Sequence, residues 1–517
     1  MNLISLVAAF LPVFVEVWRP VWTGPEVPSS GWLIVPLMSV VAIFVVPRRH
    51  EGEKYVAAVR GAVVCFFTDP LAYVALALLL LLAVPLFNVG LCPACDAQAI
   101  ADGASAAPPF RYLPFCVNVG EHLSVLRWFL SAIAVALSVR FGLRRKWKRI
   151  FCEVLVWHSA LVSAYGFVRM LADDAPLEKG FSVFGYLNHG AAFFTVSFAL
   201  SLGLWAMRQT EMAEKDVKGS PEAHPFWGRH YPLFPTALNL LGALATRSRA
   251  AMLFLIVLSA AFFGYVSVAS MAGKRRVHRV RGLASLLLLL GLGVAVSVFA
   301  PPEIGREFAT LTAQGIVDRT SGHGQYHERV ATAIMRDYPF FGIGGWGYRH
   351  FCVRYLGPKE LAGLQTLGGA NVHNDYLQFI AEHGLVGFSL MVAVFFYLVR
   401  DVFFVWRGTY LLYKFTPTEK TPVSPAALFC VSPMMLFATL GCLCAMIHAL
   451  GDCPLRSPTV LVSLLAVVAA IPGYDEKMTK PAVQPLARIS GRGKRGTVDP
   501  CDPNSWGRSG AGCLQNS

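Results

Sequence analysis

The chain has 517 residues, of which 55% are hydrophobic and only 15% charged, with a mean hydropathy of +0.53 and a formal net charge of +14. So apolar a composition excludes a soluble protein of this length and is that of a multi-span membrane protein. The positive balance is concentrated in the connections between apolar runs, where it marks topology and gives no ground for nucleic-acid binding.

Runs near the roughly 20 residues that cross a bilayer fall at 2–18, 31–47, 70–92, 124–143, 151–171, 190–207, 232–246, 250–272, 282–300, 385–406, 427–449 and 457–473. They predict an all-α polytopic protein of about twelve transmembrane helices. The first run lacks a basic n-region and a small-residue cleavage site, so it is expected to stay as a span. The expected organisation is helices 1–9 over 1–300, one large extracytoplasmic loop over 301–384, helices 10–12 over 385–473 and a disordered cytoplasmic tail over 474–517. That tail is rich in Gly, Pro, Arg and Ser, which suits disorder and contact with anionic lipid.

Alternate connections carry Arg48, Arg49, Lys54 and Arg60, then Arg140 to Arg149, Arg208 to Arg229, Lys274 to Arg281 and Arg400 to Lys420. The opposite connections hold few cations, among them Arg19, Arg111, Lys179 and Arg456. By the positive-inside rule the richer side is cytoplasmic, which puts both termini inside the cytoplasmic membrane.

In the first half, Glu16, Glu153 and His158 lie within apolar runs, where an ionisable group is costly and either works or finds a partner. The outer loop 93–123 holds Cys95 and Cys116, with Cys92 at its edge. Cys92-Pro-Ala-Cys95 has the spacing of a metal or redox pair, but no second pair completes a zinc set, and an extracytoplasmic disulfide stays open. Asp173-Asp174 in the next outer connection leave a divalent cation open, against the commoner solvated turn.

Thr246-Arg247-Ser248-Arg249-Ala250 joins two apolar runs on the outer face. The connection is so short that both guanidiniums must sit at the bilayer surface, as headgroup anchors or against a bound anion. Arg suits phosphate because its planar fork donates two parallel bonds and stays charged. Residues 325–337 read as an amphipathic helix, with Val330, Ala333, Ile334 and Tyr338 apolar and Glu328, Arg329, Thr332 and Arg336 polar. Phe341-Gly342-Ile343-Gly344-Gly345-Trp346-Gly347 is a glycine-rich turn that lets backbone approach a ligand or another helix.

A polar, titratable cluster then abuts a long apolar run from Asn371 to Gly387. Asn374, Gln378 and Glu382 recur at helical spacing, which reads as the wet side of an interfacial helix with His373 at its start. Gly384 and Gly387 allow close packing or a break before the span.

The pattern His373-Asn374, nine residues, then Gly384-Leu385-Val386-Gly387 resembles the signature of the bacterial O-antigen ligase and polymerase superfamily. Ser248-Arg249-Ala250 is similar to that family's Ser-Arg-Gly/Ala element. Arg329 through Pro339 to Gly342-Ile343-Gly344 is similar to its arginine, amphipathic helix and Gly-x-Gly turn. His448-Ala449-Leu450-Gly451-Asp452 before a last span fits loosely, and the resemblance covers 230–475.

The resemblance implies a C-type membrane glycosyltransferase that moves a glycan from a polyprenyl-diphosphate carrier to an acceptor hydroxyl on the extracytoplasmic face, with inversion. Arg249 and Arg329, with Arg247, would hold the diphosphate as the glycosidic bond breaks. His373 would accept the hydroxyl proton. Asn374, Asp375, Glu382 and Arg336 would support the site. No cofactor and no metal is expected, because the arginines neutralise the diphosphate. The partners implied are the lipid-linked donor, a lipid, glycan or protein acceptor, and membrane lipid. The shared motifs leave an O-antigen or exopolysaccharide polymerase and a protein O-oligosaccharyltransferase open beside a ligase. A flippase for lipid-linked glycan would use the same arginines without chemistry, and a scaffold subunit is a third reading.

Overall fold

A computed structural model describes residues 2–23, 33–44, 55–90, 110, 113–172, 180–217, 230–272, 323–357, 371–415 and 432–471. The chain divides into Met1–Asp475 and Glu476–Ser517, and all described residues belong to the first unit. The tail expected from 474, the run at 282–300, Cys92, Cys95, Asp173 and Asp174 lie outside the described residues.

Among the described residues the protein is all-helical, with two isolated β-bridges and no strand. The helices are α1 (Asn2–Thr23), α2 (Ile34–Phe44), α3 (Tyr55–Thr68), α4 (Pro70–Ala83), α5 (Val119–Gly142), α6 (Arg145–Ala172) and α7 (Leu187–Val217). They continue with α8 (Leu233–Ala245), α9 (Arg249–Ala272), α10 (His323–Asp337), α11 (Asp375–Phe415), α12 (Pro433–His448) and α13 (Pro458–Ala470). Seven stretches are long and apolar enough to cross a membrane: Leu3–Trp22, Pro70–Phe87, Val119–Gly142, Lys146–Ala172, Leu187–Gln209, Arg249–Ser267 and Asp375–Phe404. Helices α2, α8, α12 and α13 coincide with predicted runs but are shorter. Helix α3 corrects the reading of Arg60 as part of a basic connection: Arg60 lies within a short apolar helix.

Local chemistry fixes several helix starts. Asp69, Ser432 and Ser457 each precede a proline and accept a backbone N–H of the first turn, from Leu71 at 2.9 Å, Met435 at 3.3 Å and Val460 at 3.5 Å. Proline at the first helical position loses no hydrogen bond there, so an Asp-Pro or Ser-Pro pair sets a sharp start.

Helix α7 is the axis of the bundle, and its most apolar stretch is buried along its whole length. It meets α12 through small residues. A Cβ on Gly203 would lie 2.8 Å from Met434 Cα, and one on Gly441 would lie 2.7 Å from Ala199 Cβ. Lipid offers no hydrophobic drive between helices, so such close backbone contact supplies the packing. The buried ionisable groups pair, as the alternative reading required. Glu16 binds Arg19 at 3.2 Å, Trp18 Nε1–H donates to His158 Nε2 at 2.9 Å, and Glu153 accepts from the Tyr231 hydroxyl. Cys116 is a free thiol that faces the Pro85 carbonyl at 3.2 Å, so the disulfide left open for that loop does not use it.

Candidate functional site

The starts of α7, α9, α11 and α13 and the ends of α8 and α12 meet at one end of the bundle, and His373 lies there. Asn374 caps α11 through its side-chain oxygen, which accepts Leu377 N–H at 3.0 Å. Val372 N–H donates to Gln378 Oε1 at 3.0 Å, and Asp375 N–H donates to the Ala449 carbonyl at 2.9 Å. His373 is therefore held between two anchored neighbours, with a positive φ of 55°. Arg247 (φ 53°) and Trp346 (φ 58°) share that sparsely populated conformation. Such residues persist only where the surroundings over-determine them, and they cluster at functional sites.

A few residues on, α11 breaks at Gly384 (φ 65°). The glycine-rich turn docks into the break. Gly344 N–H donates to the Glu382 carbonyl at 2.7 Å, and Leu385 and Val386 N–H donate to the Pro339 and Phe340 carbonyls at 2.8 and 3.1 Å. A Cβ on Gly384 would lie 2.2 Å from the Phe340 carbonyl, and one on Gly342 would lie 2.3 Å from the Glu382 carbonyl carbon. Of the two uses foreseen for this turn, close approach to a helix is the one observed.

The partner of His373 is Asp452, in the connection between α12 and α13. Nδ1 of His373 lies 3.4 Å from Asp452 Oδ1. The Tyr186 hydroxyl, 3.0 Å from both oxygens, donates to the same carboxylate, as do the Asn188 amide and, at 2.7 Å, the Cys453 backbone N–H. Burial alone would push this carboxyl up. The hydrogen bonds from His373 and Cys453, with the charges of His373 and His448, hold it instead at about 2. Burial and the Asp452 charge push the Tyr186 phenol up, so it stays a donor. A carboxylate so fixed keeps the imidazole proton on Nδ1 and turns the Nε2 lone pair outward. The His373 side chain is 47% exposed and Asp452 only 11%, so the imidazole faces open space from a buried support. His189 binds the Cys453 carbonyl at 3.2 Å, and the ring of His327, on α10, lies 6.5 Å from that of His373.

Gln378 and Glu382 overturn the expected wet stripe, being 0% and 1% exposed. The cause is Arg456. Its guanidinium binds Glu382 Oε2 at 2.9 Å, approaches Asp375 at 3.7 Å and stacks on Trp346 at 4.6 Å, while Gln378 donates to Glu382 Oε1 at 3.0 Å. Arg349 covers the same indole at 3.9 Å and reaches Glu121 at 3.3 Å. Asp375 and Glu382 thus face Arg456, and the group that orients His373 is Asp452.

The predicted anion-binding arginines lie on the turn that joins α8 to α9 and on α10. Arg247 follows the end of α8, and Arg249 opens α9. The turn between them sits against the first turn of α7, since a Cβ on Gly190 would lie 3.2 Å from Thr246 Cγ2. That same first turn supplies Asn188 to Asp452. Arg329 is exposed on α10, two residues beyond His327. Arg336 is exposed on the same face about 10 Å further along. Among the described residues one group could hold a metal ion: His373, Asp452 and Cys453 offer donor atoms within 4.8 Å of one another.

His373 and the arginines stood out in the sequence, Asp452 fitted a motif only loosely, and Tyr186, Asn188 and His327 did not stand out. The available signal was Tyr186-Leu-Asn188-His189, a polar cluster against the start of an apolar run, as at His373. Residues 234–392 match the family model for O-Antigen ligase. That match supports membership of the O-antigen ligase superfamily, and it contains Arg247, Arg249, Arg329, Arg336 and His373, while Tyr186, Asn188 and Asp452 lie outside it. No curated protein matches the chain.

Proposed function

We propose, with the O-antigen ligase superfamily as premise, that the protein transfers a glycan from a polyprenyl-diphosphate carrier to an acceptor hydroxyl at the extracytoplasmic face of the cytoplasmic membrane. The superfamily implies a ligase or polymerase in general. The His373–Asp452 pair is the observation that carries the finer reading.

In this reaction the acceptor oxygen attacks the anomeric carbon from the side opposite the diphosphate. The hydroxyl proton passes to His373 Nε2, the bond from the anomeric carbon to the carrier oxygen breaks, and the carrier leaves as its diphosphate. Asp452, already an anion, stabilises the imidazolium that forms. Arg249 and Arg329, with Arg247, oppose the charge that grows on the leaving group, where fixed cations stabilise the transition state most. One displacement without a covalent enzyme intermediate gives inversion. Asn374 contributes through the helix cap that holds His373 in place, and Asp375 and Glu382 through the ion network beneath it.

The test uses the full chain in lipid nanodiscs with labelled polyprenyl-diphosphate glycan and candidate acceptors. Covalent product with wild type, and none with His373→Ala in an equally folded preparation, supports the transferase. Movement of donor across vesicles without product points to a transporter. Full activity in His373→Ala removes the base.

A further inference from the structure

The thiol of Cys453 takes no part in the transfer, yet it lies beside the two groups that do. Cys453 Sγ is 3.4 Å from Asp452 Oδ1, the same distance that separates this oxygen from His373 Nδ1. From usual zinc–ligand bond lengths, two donors on one tetrahedral ion stand about 3.3–3.6 Å apart. Two edges of such a site are therefore already formed, and the third needs a contraction of about an ångström at most, since all three donors lie within 4.8 Å. The carboxylate is preset by Tyr186, Asn188 and the Cys453 N–H, and the backbone on both sides of His373 is pinned. The exposed face of His373 leaves room for water as a fourth ligand.

We propose that His373 Nδ1, the Asp452 carboxylate and the Cys453 thiolate form a binding site for a borderline-soft divalent transition metal, zinc above all, and that its occupancy switches transfer off. Nitrogen, oxygen and sulfur donors together select zinc and its neighbours against magnesium and calcium, which want oxygen alone. The inhibitory half of the proposal rests on the transferase reading, and the metal site itself does not.

The switch follows from the tautomer. Metal bonds form at Nδ1 and Sγ. The thiol proton goes to solvent, and the imidazole proton moves from Nδ1 to Nε2. The nitrogen that faces the acceptor then carries a hydrogen and no lone pair, so it cannot take the hydroxyl proton. Asp452 is drawn to the ion at the same time and no longer stabilises an imidazolium.

The experiment titrates cobalt(II), and then zinc(II) against it, into the reduced full chain in nanodiscs under argon. Wild type is compared with Cys453→Ser, Cys453→Ala and His373→Gln, and transfer is measured in parallel with and without zinc. Wild type should show a thiolate-to-cobalt charge-transfer band that zinc abolishes and that all three variants lack. Zinc should inhibit wild type reversibly on chelation, and Cys453→Ser, with each variant's rate taken relative to its own zinc-free rate, should need at least about ten-fold more zinc for half inhibition. His373→Gln changes an exposed residue and keeps the spectroscopic test decisive if a Cys453 variant folds poorly. No band in wild type, or the same band in Cys453→Ser and His373→Gln, overturns the site. Equal zinc sensitivity in wild type and Cys453→Ser overturns the switch. A band with the expected variant pattern, in a protein that transfers nothing, upholds the metal site and sinks the transferase reading.

Discussion

An imidazole is a base only through a nitrogen whose lone pair is free, and Asp452 decides which one that is. With Nδ1 bound to the carboxylate, Nε2 is left for the acceptor, so His373→Ala should lower transfer by roughly 10²–10⁴-fold without loss of membrane insertion, read as product formed per folded protein. Asp452→Asn keeps an oxygen for Nδ1–H but loses the charge that steadies the imidazolium. It should lower kcat by up to about 10⁴-fold and change KM little. A KM effect alone would assign Asp452 to donor binding. Because Asp452 is held at about 2, below the ordinary 3.8, its contribution to stability is complete above the ordinary value and fades only as pH falls toward about 2. Acid inactivation of transfer well above that range therefore comes from other groups. His373 stood out in the sequence because a polar cluster met an apolar run. Asp452 did not, because it lies 79 residues away and only folding brings it near.

The break at Gly384 and the glycine turn from Gly342 are one interlocked unit, and His373 is positioned through the short helix between the break and the cap. Gly384→Ala would both strain a left-handed residue and push a methyl into the Phe340 carbonyl, and should cost more than about 1–2 kcal/mol. Thermal unfolding in detergent measures it, and an unchanged midpoint would mean that the turn yields. From sequence, Gly384 was readable as close packing or a break, and the turn from Gly342 as a close backbone approach. The burial of Gln378 and Glu382 was not: on a membrane-facing helix a polar stripe reads as wet unless its counter-ion is known, and that counter-ion, Arg456, lies 74 residues beyond Glu382. Arg456→Ala leaves both Glu382 and Asp375 buried without their cation, and should cost about 3–5 kcal/mol. Arg456→Lys should recover part of it, since a lysine keeps the charge but not the planar face on Trp346. Loss of activity at unchanged stability in Arg456→Ala would instead make Arg456 part of the donor site.

At the scale of the molecule, the two ends of the bundle handle charge differently. At one end Arg140 meets Asp69 at 2.9 Å, Arg149 meets Glu211 at 2.9 Å and Arg208 meets Glu211 at 3.3 Å, amid the basic connections. At the other end lie His373, Asp452, Arg249 and Arg329. The hydropathy pattern carried most of the helix order, since eleven of the twelve predicted runs overlie described helices. It missed α3, where Arg60 and Gly61 interrupt the apolar sequence, because a window average cannot tell a helix that carries one cation from a loop. Orientation follows from cations and not from packing: chains insert with Lys- and Arg-rich connections on the cytoplasmic side. On the proposed reading the end with Arg140 and Arg149 is the cytoplasmic one and the end with His373 the outward one, where a lipid-linked glycan would meet its acceptor. Lys146 and Arg336 are both exposed, one toward each end. In a background without other reactive surface thiols, Arg336→Cys should be labelled in intact cells by a membrane-impermeant maleimide, and Lys146→Cys only after the membrane is opened. The reverse pattern would put the base inside, away from any extracytoplasmic acceptor, and would end the transferase proposal whatever the geometry of the pair.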